Sequence, residues 1–460
     1  MLPSRSFRGV SRRGVIAAAF VALAMVLGGG GSPSPATEMV VQLGFAVALV
    51  AWLLWARLGE ERQRAIPRLL LWFGLALLAL PLLQLVPLPP AIWQSLPSRE
   101  LQQATLSLIG EGESWRALSI SPPVTLAALL ALLPAVGTMW GTSLLHRRDR
   151  RFLLLAIVIV TIAGALLGAL QMAGGPDDFR LYEKTHRGWL TAFHANRNAA
   201  ADALLIGALA LSARFQASSR DEPRRRYLPI FAAAQLILVV ALILTGSRTG
   251  IALLVVSLPF HWMMLRPAGA NLSRRTLFAA TVAFVAALVA LPLALASNSR
   301  LARVAERFDA TGDARFPLWE DTLDAISGFW PAGSGVGTFP HAFQPFESLE
   351  HLDQFFPNRA HNDYLEFLLE AGLLAPAILA FGAIALFMLA RRAWKLSPQD
   401  HASQLFALGT LAIVALHSIV DYPLRNMAIA CLAGVAAGLL TVAPRSGNAP
   451  GRNEGREDTK

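Results

Sequence analysis

The 460-residue sequence predicts an all-α polytopic membrane protein of about twelve transmembrane helices, with a large external loop carrying short amphipathic helices. Three observations predict it. Hydrophobic residues make up 55% of the chain and charged residues 15%, where soluble domains carry about 25% charged residues. The mean hydropathy is +0.49. Apolar runs long enough to cross a bilayer recur along the chain, and Lys and Arg concentrate in alternate connections between them.

The runs are 14–30, 39–57, 68–88, 123–145, 152–172, 197–214, 228–246, 248–265, 276–297, 363–390, 402–420 and 426–443. The seventh and eighth are parted only by Gly246-Ser247-Arg248-Thr249-Gly250, and the last two only by Asp421-Tyr422-Pro423-Leu424-Arg425. The expected organisation follows. Residues 1–13 form a cytoplasmic N-terminus, and 14–297 hold nine helices with outer loops at 89–122 and 173–196. The large outer loop is 298–362, residues 363–443 hold three more helices, and 444–460 are a polar, disordered cytoplasmic tail.

Orientation comes from the basic residues, because positively charged loops tend to stay cytoplasmic. With the N-terminus inside, most of the 40 Lys and Arg fall on the inner side. They include Arg5, Arg8, Arg12 and Arg13, the Arg147–Arg151 group, Arg224–Arg226, and Arg391 with Arg392. The net charge of +10 is therefore topology rather than a sign of nucleic acid. Ser11-Arg12-Arg13-Gly14 resembles a twin-arginine export signal, but reads more plainly as a basic flank of the first helix, since no A-x-A site follows. The single cysteine, Cys431, excludes an internal disulfide framework and a cysteine-based metal site.

The outer loops carry three stretches with helical spacing: Leu101–Ile109, Arg300–Phe308 and Trp319–Ile326. Unusual polar clusters also fall on that face. They are Phe193-His194-Ala195-Asn196-Arg197-Asn198, Ser247-Arg248, Arg315 with Trp319, His361-Asn362-Asp363, and Asp421 with Arg425. These arginines run against the orientation rule, and the planar guanidinium fork suits phosphate oxygens, which makes them candidates for binding an anion.

Each cluster also has a plainer reading. Arg248 can cap the preceding helix or snorkel to headgroups. Asn196 and Asn198 can be helix N-caps, as can Asn362 or Asp363 beside a loop His361. Glu366 and Glu370 lie one turn apart on the face of Asn362, with Glu370 expected inside the membrane. His417 and Asp421 are also one turn apart, although an Asp421–Arg425 ion pair is the simpler expectation. Gly333-Ser334-Gly335-Val336-Gly337 looks like a nucleotide loop, yet no strand precedes it and no lysine follows, so a turn with positive φ is expected. His351, Asp353, His361 and Asp363 lack the spacing of a metal site, and no Walker motif is present.

The run from His361-Asn362-Asp363 through Leu365 and Glu370 to Gly372 resembles the O-antigen ligase and O-antigen polymerase superfamily. Asn196-Arg197-Asn198, Gly246–Gly250, Arg315-Phe316-Pro317-Leu318-Trp319 and the Gly333–Phe339 turn agree in order. His417-Ser418-Ile419-Val420-Asp421-Tyr422-Pro423 is similar to a motif of exopolysaccharide members. Ala375-Pro376 departs from the pattern, where a second glycine is common.

The resemblance implies a GT-C-like glycosyltransferase of the bacterial inner membrane, with both termini cytoplasmic and its site facing the periplasm. The expected donor is an undecaprenyl-pyrophosphate-linked glycan, the acceptor a glycan or lipid A-core hydroxyl, with no metal or other cofactor. On this reading Arg248 and Arg315 hold the pyrophosphate, with Arg197 a third contact. His361 activates the acceptor or orients the phosphate. Asn196, Asn198, Asn362, Glu370 and Asp421 are expected around the substrate, Glu370 holding either His361 or a buried arginine. Polymerase, ligase and protein-glycosylating activities stay open. A multi-helix transporter of glycan or another solute is the alternative from a different class, and it predicts broken helices and polar residues near the midplane.

Overall fold

The computed structural model describes residues 9–30, 35–58, 65–175, 177–183, 185–218, 224–266, 315–350, 352 and 356–444. The expected run at 276–297, the Arg300–Phe308 stretch, His351, Asp353 and nearly all of the tail lie outside these residues. Sixteen α-helices are described. In order they are α1 (Arg12–Leu27), α2 (Pro35–Leu58), α3 (Arg68–Gln84), α4 (Pro90–Trp93), α5 (Glu100–Leu108) and α6 (Pro122–Leu144). Next come α7 (Arg147–Ala173), α8 (Arg197–Ser218), α9 (Arg224–Leu244), α10 (Arg248–Leu265) and α11 (Arg315–Phe329). The last are α12 (Phe339–Phe343), α13 (Asp363–Ala371), α14 (Leu374–Leu396), α15 (His401–His417) and α16 (Met427–Leu439). Two-residue strands at Pro87–Leu88 and Arg116–Ala117 pair antiparallel and close the loop after α3.

Among the described residues, seven helices are long and apolar enough to cross a membrane: Ala36–Trp55, Pro122–Leu144, Arg147–Ala173, Arg197–Ala217, Tyr227–Leu244, Arg248–Leu265 and Leu374–Leu396. The chain is thus an all-α, multi-pass membrane protein. Large side chains face outward from the peripheral helices, including Leu43 and Val47 on α2, Ile230 on α9 and Phe387 on α14. Such an apolar belt is at home against lipid and costly in water. The core lies between α1, α7, α8, α9, α10, α15 and α16, around Ile157, Leu205, Leu209, Phe406 and Ile413.

The run expected as one helix over 363–390 is two. It breaks at Gly372, whose φ of 54° lies in the left-handed region. Leu373 N there donates to the Pro331 carbonyl at 3.0 Å instead of continuing a helical ladder. α13 is consequently a short separate helix, with Glu370 in its last turn.

Polar ties define the two ends of the bundle. At one end the buried Arg150 donates to the carbonyls of Leu145 (3.0 Å), Ser143 (3.1 Å) and Thr441 (2.7 Å). It thereby satisfies carbonyls that the ends of α6 and α16 leave without helical partners. Ser11 caps α1 there and donates through N and Oγ to Asp149 on α7, both at 2.8 Å. At the opposite end, Ala195 N donates to Gly29 O (3.0 Å) and Ala428 N to Gly28 O (3.0 Å). The start of α8, the end of α1 and the start of α16 therefore meet at that second end.

Candidate active site

The segment preceding α13 is fixed from both sides. Asn362 caps the helix, its Oδ1 accepting from Tyr364 N (3.0 Å) and Leu365 N (3.1 Å). Asp363 N donates to Ser418 O (2.9 Å), Trp319 Nε1 on α11 donates to Ala360 O (3.0 Å), and Ala360 N donates to Glu366 Oε2 (3.1 Å). Between these anchors His361 takes a φ of 51°. A non-glycine residue pays about 1–3 kcal/mol for such a conformation, so the surrounding bonds must hold it.

The left-handed turn brings the His361 ring beside the α15–α16 link. Its Nδ1 lies 3.4 Å from Asp421 Oδ1, and its ring meets Tyr422 edge-on at 4.9 Å between centroids. Asp421 is the hub of this link. Oδ1 also accepts from Tyr422 N (2.9 Å), while Oδ2 accepts from Asn198 Nδ2 and faces His417 Nε2 at 3.9 Å. Burial pushes the Asp421 carboxyl up, but His361, His417 and Asn198 outweigh burial and hold it at about 2. Burial, reinforced by the Asp421 charge, raises the Tyr422 phenol to about 12. Nearby, Asn196 turns the chain into α8 by accepting from Asn198 N (2.8 Å), and its Nδ2 donates to the Tyr422 hydroxyl (3.4 Å).

A second cluster locks α13 to the same link. Arg425 Nη2 lies 2.6 Å from Glu370 Oε2, and Arg425 Nε lies 3.2 Å from Glu366 and 3.9 Å from Asp363. Arg359 adds a bond to Glu366 at 2.9 Å. The three carboxylates outweigh the burial of Arg425 and hold its guanidinium charged. The expected Asp421–Arg425 pair is therefore not the arrangement observed. Arg425 is drawn away by Glu370 and Glu366, which leaves Asp421 to the histidines. Glu370 takes the second of its two expected partners, the arginine.

Behind α13, the Gly333–Gly337 segment is a turn, with φ of 79°, 113° and 90° at its three glycines. Ser334 N and Gly335 N donate to the Leu369 and Glu370 carbonyls, both at 3.0 Å. This segment supports the helix end and is not placed as a phosphate loop.

The arginines singled out in the sequence start helices at this end of the bundle. Arg197 opens α8 with its guanidinium 5.2 Å over the Trp189 ring. Leu190 N donates to Leu244 O (3.1 Å), tying that loop to the end of α9 immediately before the turn that carries Arg248. Arg248 is half-buried at the first position of α10, behind the Ser247 cap, and Gly250 packs against Ala201 of α8. Arg315 opens α11 one turn before Trp319. A cation at a helix start adds to the positive end of the helix dipole. His194 is buried beside this loop, and burial pushes its imidazole down to about 4. It is held neutral.

The O-antigen ligase family model matches residues 233–380 of the chain. This match supports the resemblance to the O-antigen ligase and polymerase superfamily carried by the sequence motifs. The segment matching this family holds the Arg248 turn, Arg315, the Gly333–Gly337 turn and the His361–Gly372 motif. A search of the curated proteins finds no match.

The O-antigen ligase segment does not contain every residue that the fold gathers at His361. Asn198, Asp421 and Tyr422 come from outside it. Asp202, whose Oδ1 lies 2.7 Å from His417 Nδ1, was not among the sequence-derived candidates. Its signal was available: an ionisable residue inside the apolar run 197–214 is rare without a reason.

Proposed function

We propose that this protein is a glycosyltransferase that moves or polymerises an undecaprenyl-pyrophosphate-linked glycan at the periplasmic face of the bacterial inner membrane. The reading rests on one arrangement above all. His361, strained at the start of α13, is held with Nδ1 against the buried Asp421 anion, at the bundle end where Arg197, Arg248 and Arg315 start their helices.

The chemistry follows from that geometry. The donor carries its activated bond already, so no nucleotide site is needed. Arg248 and Arg315 grip the pyrophosphate and stabilise the charge that develops as it departs, with Arg197 a weaker contact. His361 takes the proton of the acceptor hydroxyl as that oxygen attacks the sugar, and Asp421 stabilises the imidazolium formed. Asn362 holds the histidine's loop as the helix cap. Asn196 and Asn198 orient the Tyr422–Asp421 link, and Glu370 keeps Arg425 off Asp421. The membrane topology of about twelve helices, with residues 298–362 as a periplasmic loop, belongs to the same proposal.

Between acceptors, the His417–Asp421 motif favours polymerisation of repeat units over ligation to lipid A-core. A deletion strain separates the two: a single repeat still attached to its carrier lipid or core marks a polymerase, and unattached polymer on the lipid carrier marks a ligase. Transfer itself is tested with purified full-length protein in proteoliposomes, given a polyprenyl-pyrophosphate-linked oligosaccharide and a glycan acceptor. A new glycosidic product with release of the polyprenyl pyrophosphate is expected. Movement of the solute across the bilayer with no bond made would support a transporter instead.

A further inference from the structure

Behind Asp421 lies a buried pair that the transfer reading does not use. Asp202 of α8 and His417 of α15 meet at 2.7 Å through Oδ1 and Nδ1, each with only 1% of its side chain exposed. His417 Nε2 points on toward Asp421 Oδ2, 3.9 Å away, and neither it nor His361 Nδ1, 3.4 Å from Asp421 Oδ1, makes a hydrogen bond. Asp202, Asp421, Tyr422, Asn196 and Asn426 line one small pocket, where Asp202 Oδ2 and Asn426 Nδ2 are also buried without partners. A tie between two helices needs one hydrogen bond, and leaving further polar atoms unsatisfied costs about 1–3 kcal/mol each. Four groups thus run in series from the buried helix pair to the half-exposed histidine: Asp202, His417, Asp421 and His361.

We propose that Asp202 and His417 are positioning residues for glycan transfer: together they set the Asp421 carboxylate from behind, so that Oδ1 fixes His361 with Nδ1 inward and Nε2 free for the acceptor. The inference rests on the transferase reading above. The two oxygens of Asp421 divide the work. Oδ2 belongs to Asn198 and the His417 side, and Oδ1 to Tyr422 N and His361. Because a carboxylate only accepts, its charge 3.4 Å away favours the His361 tautomer with the proton on Nδ1, which leaves the Nε2 lone pair as base. In the step itself the acceptor oxygen bonds to the anomeric carbon and its proton passes to His361 Nε2. The bond from that carbon to the pyrophosphate breaks, the electron pair leaves with the polyprenyl pyrophosphate, and the proton follows it from His361. His417 and Asp202 touch none of the reacting atoms.

The test uses purified full-length protein in proteoliposomes with a polyprenyl-pyrophosphate-linked oligosaccharide donor and a glycan acceptor. Asp202→Ala and His417→Gln are expected to lower kcat about tenfold or more, with the donor KM unchanged within about twofold, because the arginines that bind the donor are untouched. Asp202→Asn keeps an oxygen that accepts from His417 Nδ1 and is expected to recover most of the lost kcat. Should one alanine or glutamine variant fail to insert, the other carries the same comparison. Wild-type kcat, a KM that rises as kcat falls, or equal loss in Asp202→Ala and Asp202→Asn overturns the inference. His361→Ala assayed beside them separates the two readings. Its loss of transfer with normal Asp202→Ala kinetics overturns this inference alone, wild-type kcat in His361→Ala overturns the base role of His361, and no transfer product from the wild-type protein overturns the transferase reading beneath both.

Discussion

Glu370 Oε2 and Arg425 Nη2 meet at 2.6 Å, joining the end of α13 to the link between α15 and α16. The glutamate is fully buried and shares its arginine with Glu366. Removing the only cation that contacts all three carboxylates among the described ion pairs leaves buried charge uncompensated, which costs about 3–5 kcal/mol. Arg425→Ala is therefore expected to lower the thermal midpoint of the detergent-solubilised protein far more than Glu370→Gln, which removes one of three partners. Equal, small shifts in both variants would show that the cluster is not what holds α13 in place.

Asn362 supplies two bonds to the first turn of α13, so its effect should be local and modest. Asn362→Ala is expected to cost about 1 kcal/mol, and Asn362→Asp little, since an aspartate caps equally well. Thermal melts of the two variants check this. Because His361 is the preceding residue, Asn362→Ala should also reduce transfer, and Asn362→Asp should preserve it.

The acid response of Asp421 has a definite sign. Its carboxyl is held at about 2 in the folded protein, below its ordinary value of 3.8. A depressed acid contributes stability that is fully present above its unfolded value and is lost as pH falls through the folded one. The contribution is about 2 kcal/mol, present above about pH 4 and lost toward pH 2. The stability gap between wild type and Asp421→Asn, followed by acid unfolding in detergent, should close over that window. A gap that closes between pH 5 and 7 would mean that Asp421 does not carry the charge assigned to it.

Arg248→Lys separates recognition by shape from recognition by charge. If the guanidinium grips the pyrophosphate through two parallel bonds, lysine keeps the charge and loses the fork, and transfer should fall about tenfold or more. Transfer kinetics in proteoliposomes provide the measurement. Wild-type rates in Arg248→Lys would reduce the role of this residue to a point charge.

Much of the architecture was legible in the sequence because a bilayer imposes length and polarity on each helix. The helices at 101–109 and 319–326 were legible from apolar spacing: α11 contains the second, and α5 covers the first up to Leu108, with Ile109 as its C-cap. What periodicity could not show was the break at Gly372. Both sides of it are apolar, and the partners that take over at the break, the Pro331 carbonyl and the Gly333–Gly337 turn, come from a distant segment. The partners of the charged residues were equally hidden. Asp421 and Arg425 are four apart and looked like a pair, but pairing was decided by carboxylates from α13, more than fifty residues away in the chain. Asp202 was missed for a related reason: its partner His417 lies on another helix, and no local spacing links them.

On the proposed mechanism His361, Arg248 and Arg315 act together on a lipid-linked pyrophosphate. The most direct measurement is the rate of glycan transfer by His361→Ala, Arg248→Ala and Arg315→Ala proteins that insert and melt like the wild type. The account predicts that each loses about a hundredfold or more of kcat/KM. Wild-type rates in all three would contradict it.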